Sequence, residues 1–285
     1  MSMRHRVFVA FVALAAIGVP SFAITNDWVA DNEHPFVGLV VFYDADGEFS
    51  HRCSGSLISP TKLVTAGHCT AANSGAVTAR VYFQQDAGAN FDPATGVDIV
   101  SGYPETCAPG TLGSYCATSD ELFDFGFIGL TIPDTHDLGL VILDQSIHLS
   151  EYGELAPAGT LDALAQARGT RSTVFTVSGY GLTLRVQEHS ALANVSFRSR
   201  LMARAMLVNL RSALNGGYNL QTQGNGDGRG GTCSGDSGGP VFLGDARSNQ
   251  IVGITSFGLN ALCRGTDFAY RTDRAAVIEW IGDPE

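Results

Sequence analysis

A serine set among glycines near the end of the chain, in the run GDSGGP from Gly235 to Pro240, constrains the fold more than any other feature. Glycines permit a tight turn that exposes the Ser237 hydroxyl and lets backbone N–H groups converge beside it. A serine hydroxyl is a weak nucleophile until a base takes its proton, so an attacking serine requires a histidine and a group that orients that histidine. Both stand upstream: His68 in TAGHC, directly before Cys69, and Asp137 in HDLGLVIL, followed by an apolar run suited to a buried strand.

TAGHC, HDLGL and GDSGGP, in that order, resemble the chymotrypsin-like (trypsin-like) serine endopeptidases. Gly67 stands where that family usually has alanine, a change that adds backbone freedom and removes no chemistry. The resemblance runs from Ile24 to about Ile281 and is weakest between His68 and Asp137 and between Gly181 and Gly230. It implies an all-β fold: two six-stranded antiparallel Greek-key barrels with the site in the cleft between them and a short C-terminal helix. Residues 24–155 would form the barrel carrying His68 and Asp137, and residues 156–285 the barrel carrying Ser237. It also implies roles, with His68 as general base, Asp137 fixing its tautomer and Ser237 attacking the carbonyl carbon. Gly235-Asp236-Ser237-Gly238-Gly239 equally satisfies the G-x-S-x-G elbow of α/β-hydrolases, whose histidine follows the serine. The last histidine here is His189, so chain order excludes that fold.

The resemblance extends to the rest of the site. The N–H groups of Gly235 and Ser237 would stabilise the oxyanion, and Gly231, Thr232, Ser234, Ser256, Phe257, Gly258 and Phe268 would surround the substrate. Ser256-Phe257-Gly258 stands for the family's S-W-G strand, which pairs with the substrate backbone as an added β-strand. Six residues before Ser237, where trypsin-type enzymes carry aspartate, this chain has Gly231. With Phe268 filling the pocket base, the expectation is a small or medium apolar residue before the scissile bond. Asp267, if turned inward, reverses that preference to arginine or lysine.

Six cysteines suit a disulfide framework and allow fifteen pairings. The resemblance selects Cys53 with Cys69 and Cys233 with Cys263, leaving Cys107 and Cys116 to close a local loop. No CxxC or HxxxH spacing suggests a metal site, and no cofactor is implied.

Arg4 and Arg6, an apolar run from Val7 to Val19 and the small residues of Ser21-Phe22-Ala23 read as a secretory signal over residues 1–23. The run falls short of the roughly twenty residues that span a bilayer, which disfavours a retained anchor. Cleavage after Ala23 would leave Ile24 as the new terminus. In the family such a terminus turns inward and its ammonium pairs with the aspartate before the nucleophile, here Asp236. The expected molecule is therefore secreted, monomeric and without a membrane anchor. The family further implies protein or peptide substrates and protein protease inhibitors as partners.

A formal charge of −11, with no block of lysine or arginine, excludes a phosphate-tracking surface and with it nucleic-acid binding. The second functional class, a secreted binding protein that has lost catalysis on the same fold, stays open because fold does not dictate function. The intact set of His68, Asp137, Ser237 and the oxyanion glycine disfavours it.

Strands are expected over 36–43, 53–65, 138–143, 173–179 and 251–257, separated by Gly, Pro, Asn and Asp clusters. The 198–214 stretch suits a helix by composition, while Leu201, Ala203, Ala205 and Leu207 alternate as a strand would, and the resemblance selects the strand. Residues 71–130 read as an inserted surface loop, and the glycine-rich 224–231 stretch as a mobile loop bordering the pocket. A closing helix is expected over about 272–281, with Asp273 as its cap and Gly282 as its stop. His34, His51, His136, His148 and His189 read as surface or satisfied core residues.

Overall fold

The computed structural model describes residues 24–87, 116–167, 172–188, 191–195, 198–224, 228–259, 263 and 265–284. The expected export signal, Cys107, His189 and the centre of the glycine-rich loop lie outside them.

Two short strands, β1 (Thr25–Asn26) and β2 (Trp28–Ala30), precede the first sheet. That sheet contains β3 (Val37–Tyr43), β4 (Phe49–Leu57), β5 (Lys62–Thr65), β6 (Thr78–Tyr82), β7 (Cys116–Ser119), β8 (Glu121–Asp124) and β9 (Gly139–Ile142). Its seven strands run in the order β7-β6-β3-β4-β5-β9-β8. Every residue of β3 is buried, so it reads as continuous Val, Leu and Phe instead of alternating. A one-turn helix, α1 (Gly67–Thr70), follows β5.

The second half begins with β10 (Glu154–Leu155) and α2 (Thr160–Gln166). There follow β11 (Val174–Gly179), a hairpin of β12 (Leu184–Glu188) and β13 (Ala191–Val195), β14 (Leu201–Asn209) and β15 (Asn219–Gln223). The chain ends with β16 (Gly230–Gly231), β17 (Pro240–Leu243), β18 (Gln250–Gly258), β19 (Thr266–Arg271) and the helix α3 (Ala275–Gly282). Strands β18, β17, β11, β14, β15 and β19 pair in sequence, and β19 pairs back onto β18, which closes a ring of six. β2 and β10 attach outside that ring, on β14 and β18. Among the described residues the second barrel is thus the six-stranded ring expected, with β2 and β10 added to it, and the first sheet has seven strands where six were expected.

Leu201, Ala203, Ala205 and Leu207 are all buried on β14, so the strand reading of this stretch holds, although Met202 between them is buried as well. The 71–130 stretch is not one inserted loop. β6, β7 and β8 all lie in it and belong to the first sheet, the first two pairing and β8 lying along β9. Their short length and mixed polarity hid them from a periodicity reading. Asp273 does not cap the closing helix, which begins at Ala275. Its carboxylate accepts the Leu161 N–H of α2 at 2.7 Å and two hydrogen bonds from Arg271 at 2.9 Å each, tying α2 to the end of β19.

Candidate active site

The register of the first sheet positions the histidine. Thr65 at the end of β5 lies opposite Gly139 at the start of β9, so α1 and the residues entering β9 leave the sheet side by side. His68 N–H donates to Asp137 Oδ1 at 2.7 Å, and His68 Nδ1 lies 3.0 and 2.9 Å from the two carboxylate oxygens. Asp137 is wholly buried, whereas the His68 side chain is 29% exposed and faces the cleft. A buried carboxylate held on Nδ1 leaves Nε2 as the nitrogen available to act on a hydroxyl.

Ser256 on β18 donates its hydroxyl to Asp137 Oδ2. The sequence placed Ser256 with the substrate-contacting strand; its side chain also reaches across from the second barrel to hold the aspartate. Gly67 is more constrained than its sequence context suggested. A Cβ there would lie 2.9 Å from Leu138 O and 3.0 Å from Phe127 Cβ, so the segment bearing Asp137 packs where alanine would need room. The Phe127 ring, 6.0 Å from the imidazole, forms the neighbouring wall.

The glycine-flanked turn sits opposite. Ser54 N–H on β4 donates to Ser237 O at 2.7 Å, Ser54 Oγ donates to Gly235 O at 2.9 Å, and Gly238 N–H donates to Thr255 O at 2.8 Å. The turn carrying Ser237 is therefore pinned to both sheets. Gly235 and Gly238 adopt φ of 95° and 83°, a region that disfavours side chains. A Cβ on Gly238 would also lie 2.1 Å from Thr65 Oγ1 and 2.2 Å from Ser54 O. Gly238→Ala is accordingly expected to cost at least about 2 kcal/mol of stability, read by denaturant unfolding, and to displace the Ser237 turn. Ser237 Oγ makes no hydrogen bond with the described residues. In unliganded sites such bonds are often long and tighten only when substrate binds.

Asp236 is completely buried against Gly179 and Gly181, whose missing side chains make room for it. It accepts the Gly181 N–H at 2.8 Å and the Cys233 N–H at 2.9 Å. Burial, and secondarily the nearby Asp267 carboxylate, push its pKa up to about 7. Ile24 is also wholly buried, in the core of the second barrel, and Thr25 pairs with Gly231. In the uncleaved chain the Ile24 nitrogen is a peptide amide.

Cys53–Cys69 braces the histidine loop and Cys233–Cys263 joins the serine loop to the segment before β19. Cys116 is also disulfide-bonded. Phe268 is buried and stacks face to face on Phe257, ring centres 4.5 Å apart and planes 4° from parallel. His51, Cys53 and Cys69 gather closely enough to hold a metal, but the two sulfurs are joined to each other.

A polar cluster that no sequence pattern announced links the entering segment to the second barrel. His34 Nδ1 lies 2.9 Å from both Asp31 oxygens, Ser178 Oγ donates to Asp31 Oδ2, and the His34 ring stacks on Phe242 at 4.2 Å. His34 is thus a satisfied core residue, as expected. The serine and the histidine both bind the carboxylate and all three are buried, so this group supplies no accessible nucleophile.

Two antiparallel barrel-like sheets closed by a C-terminal helix, with an imidazole–carboxylate pair on one and a glycine-flanked serine on the other, define the chymotrypsin-like class. The family model described as Trypsin matches residues 24–281, and the chain belongs to that family. It is 28% identical over 258 residues to Proproteinase E of Bos taurus, covering 85% of this chain and 86% of that protein. It is 29% identical over 257 residues to human chymotrypsin-like elastase family member 3A, covering 84% and 80%. With the CLIP domain-containing serine protease B10 of Anopheles gambiae it shares 25% over 269 residues, 90% of this chain and 68% of the other. Among solved structures, HL collagenase superposes with a TM-score of 0.59 at 17% identity, covering 92% of this chain and 96% of that one. A mutant of human heparin binding protein superposes with a TM-score of 0.58 at 19% identity, covering 90% and 96%.

Proposed function

We propose that this chain is a secreted serine endopeptidase that cleaves peptide bonds through an acyl-enzyme intermediate, with Ser237, His68 and Asp137 as its triad. The observation that carries the reading is the buried Asp137 carboxylate engaging both the backbone N–H and Nδ1 of His68, opposite the serine turn. His68 Nε2 accepts the Ser237 proton as Oγ attacks the substrate carbonyl. Asp137, kept in place by Ser256, stabilises the imidazolium that results, and the same proton then passes to the leaving amine. The N–H groups of Gly235 and Ser237 receive the developing oxyanion, each worth about 2.7–4 kcal/mol of barrier. Water deacylates the enzyme by the reverse proton path.

Maturation is part of the proposal. Signal removal after Ala23 frees Ile24, whose ammonium pairs with Asp236 and fixes the oxyanion turn. The support is a buried carboxylate whose pKa is raised to about 7 while that ammonium is absent.

A fluorophosphonate probe tests the catalytic reading directly. The purified secreted protein is expected to label on Ser237, and Ser237→Ala is expected to abolish labelling without reducing secretion. An unlabelled but folded protein would instead identify a binding protein on a silent protease fold.

A further inference from the structure

Where the resemblance places the primary pocket, the structure holds an acid that the serine loop does not supply. Asp267 lies on β19, and its Oδ2 accepts the Thr232 N–H at 2.8 Å, five residues before Ser237. The carboxylate fits because Gly231 has no side chain; a Cβ there would come within 2.8 Å of Oδ2. Its other oxygen, Oδ1, faces Gly258, 3.5 Å from where a Cβ would sit. Asp267 therefore stands between the two segments, 231–233 and 256–258, that flank the expected path of a substrate side chain. Phe268, its neighbour, turns the other way and stacks under Phe257.

The surroundings of this carboxylate are one-sided. Thr232 supplies it with hydrogen bonds from backbone and side chain. Its cross-strand partner on β15 is Thr222, and Thr25 Oγ1 donates to Gly231 O beside it. Among the described residues the Asp236 carboxylate is a like charge close by, and Asp267 raises its pKa. Asp267 takes part in no ion pair among the described residues. An acid only 9% exposed without a cation is costly to ionise, and a cationic ligand side chain removes that cost.

We propose that Asp267 is the specificity-determining residue of this pocket and selects substrates with arginine or lysine before the scissile bond. The inference rests on the proteolytic reading above and replaces the apolar preference expected from Gly231 and Phe268. A guanidinium or ammonium entering the pocket meets Oδ1 while Thr232 holds Oδ2. The selection also depends on pH. Burial raises the Asp267 pKa to about 6, so the acceptor is ionised above that value and neutral below it. The preference for cations is then strong at pH 8 and fades as pH falls through about 6.

Two binding probes and one kinetic ratio test this. Benzamidine, a cation, is compared with the neutral benzamide by calorimetry on the mature protein. At pH 8 benzamidine is expected to bind at least about tenfold tighter, an advantage that disappears below about pH 5 and in Asp267→Asn. The ratio of kcat/KM for arginyl and leucyl peptide substrates should rise with pH through about 6 and fall at least about 30-fold in Asp267→Asn. Taking the ratio cancels any pH dependence that the two substrates share. Equal binding of the two probes at pH 8, or an unchanged arginyl preference in Asp267→Asn, overturns the inference. The wild-type pH series decides the matter if Asp267→Asn does not fold, since a pH-independent ratio is equally fatal. Serine labelling without benzamidine preference defeats only the role of Asp267; benzamidine preference without labelling defeats only the proteolytic reading.

Discussion

Asp137→Asn should lower kcat by about 10⁴-fold, with substrate KM changed far less, in a peptide hydrolysis assay near pH 8. The carboxylate of Asp137 accepts from three donors: the His68 N–H, His68 Nδ1 and the Ser256 hydroxyl. An asparagine offers one oxygen to these and sets an NH₂ group against at least one donor. The easiest adjustment is for the imidazole to place its proton on Nε2 and accept at Nδ1. That tautomer cannot take a proton from Ser237. An asparagine variant that retains activity within tenfold of wild type would show that the His68–Asp137 pair does not serve the chemistry. Ser256→Ala separates holding from reacting: it removes one donor to Asp137 and should lower kcat far less than Asp137→Asn does.

The second large effect concerns the buried acid before the nucleophile. A chain beginning at Ile24 should be more stable at neutral pH than one extended at its N-terminus by about 3–5 kcal/mol, the cost typical of breaking a buried ion pair. The sign of the pH dependence distinguishes the two forms. In the extended chain the Asp236 pKa is raised from 3.8 to about 7, so the folded state holds its proton more tightly than the unfolded state does. Its contribution is fully favourable below about pH 4 and is lost as pH rises through about 7. In the chain beginning at Ile24, the ammonium lowers the pKa, and the contribution is instead present at neutral pH and lost on acidification. Above about pH 8 the terminal amine itself deprotonates unless the pair holds it charged. Thermal unfolding of both forms between pH 4 and 8 should give melting temperatures that diverge with rising pH. Parallel curves would exclude the pairing of Ile24 with Asp236.

Three motifs made the architecture legible because each encodes a backbone requirement as well as a side chain. Gly238 is glycine because Thr65 and Ser54 leave no space, and that constraint is local enough to persist as a pattern. Buried strands such as β3 and β9 announced themselves by uninterrupted apolar runs. Strands β6, β7 and β8 were hidden because four- and five-residue segments with polar members carry too little periodicity. Long-range polar ties were equally opaque. Nothing near Ser256 predicts that its hydroxyl will meet Asp137, 119 positions away, and nothing near Asp31 predicts Ser178, 147 positions away, as its partner. Asp267 shows the boundary most clearly. The sequence narrowed the pocket floor to Phe268 or Asp267, and only the packing against glycine at 231 separates them.

The Ser237 turn hangs from Ser54 on one sheet and Thr255 on the other, and Asp137 is gripped by a serine from the far side of the cleft. A copy emerging half-assembled, with one barrel formed and its companion still loose, would hold a histidine without a target or a serine without a base. On the proposed function such a molecule cannot cut its neighbours, because the cutting site exists only once both halves have docked.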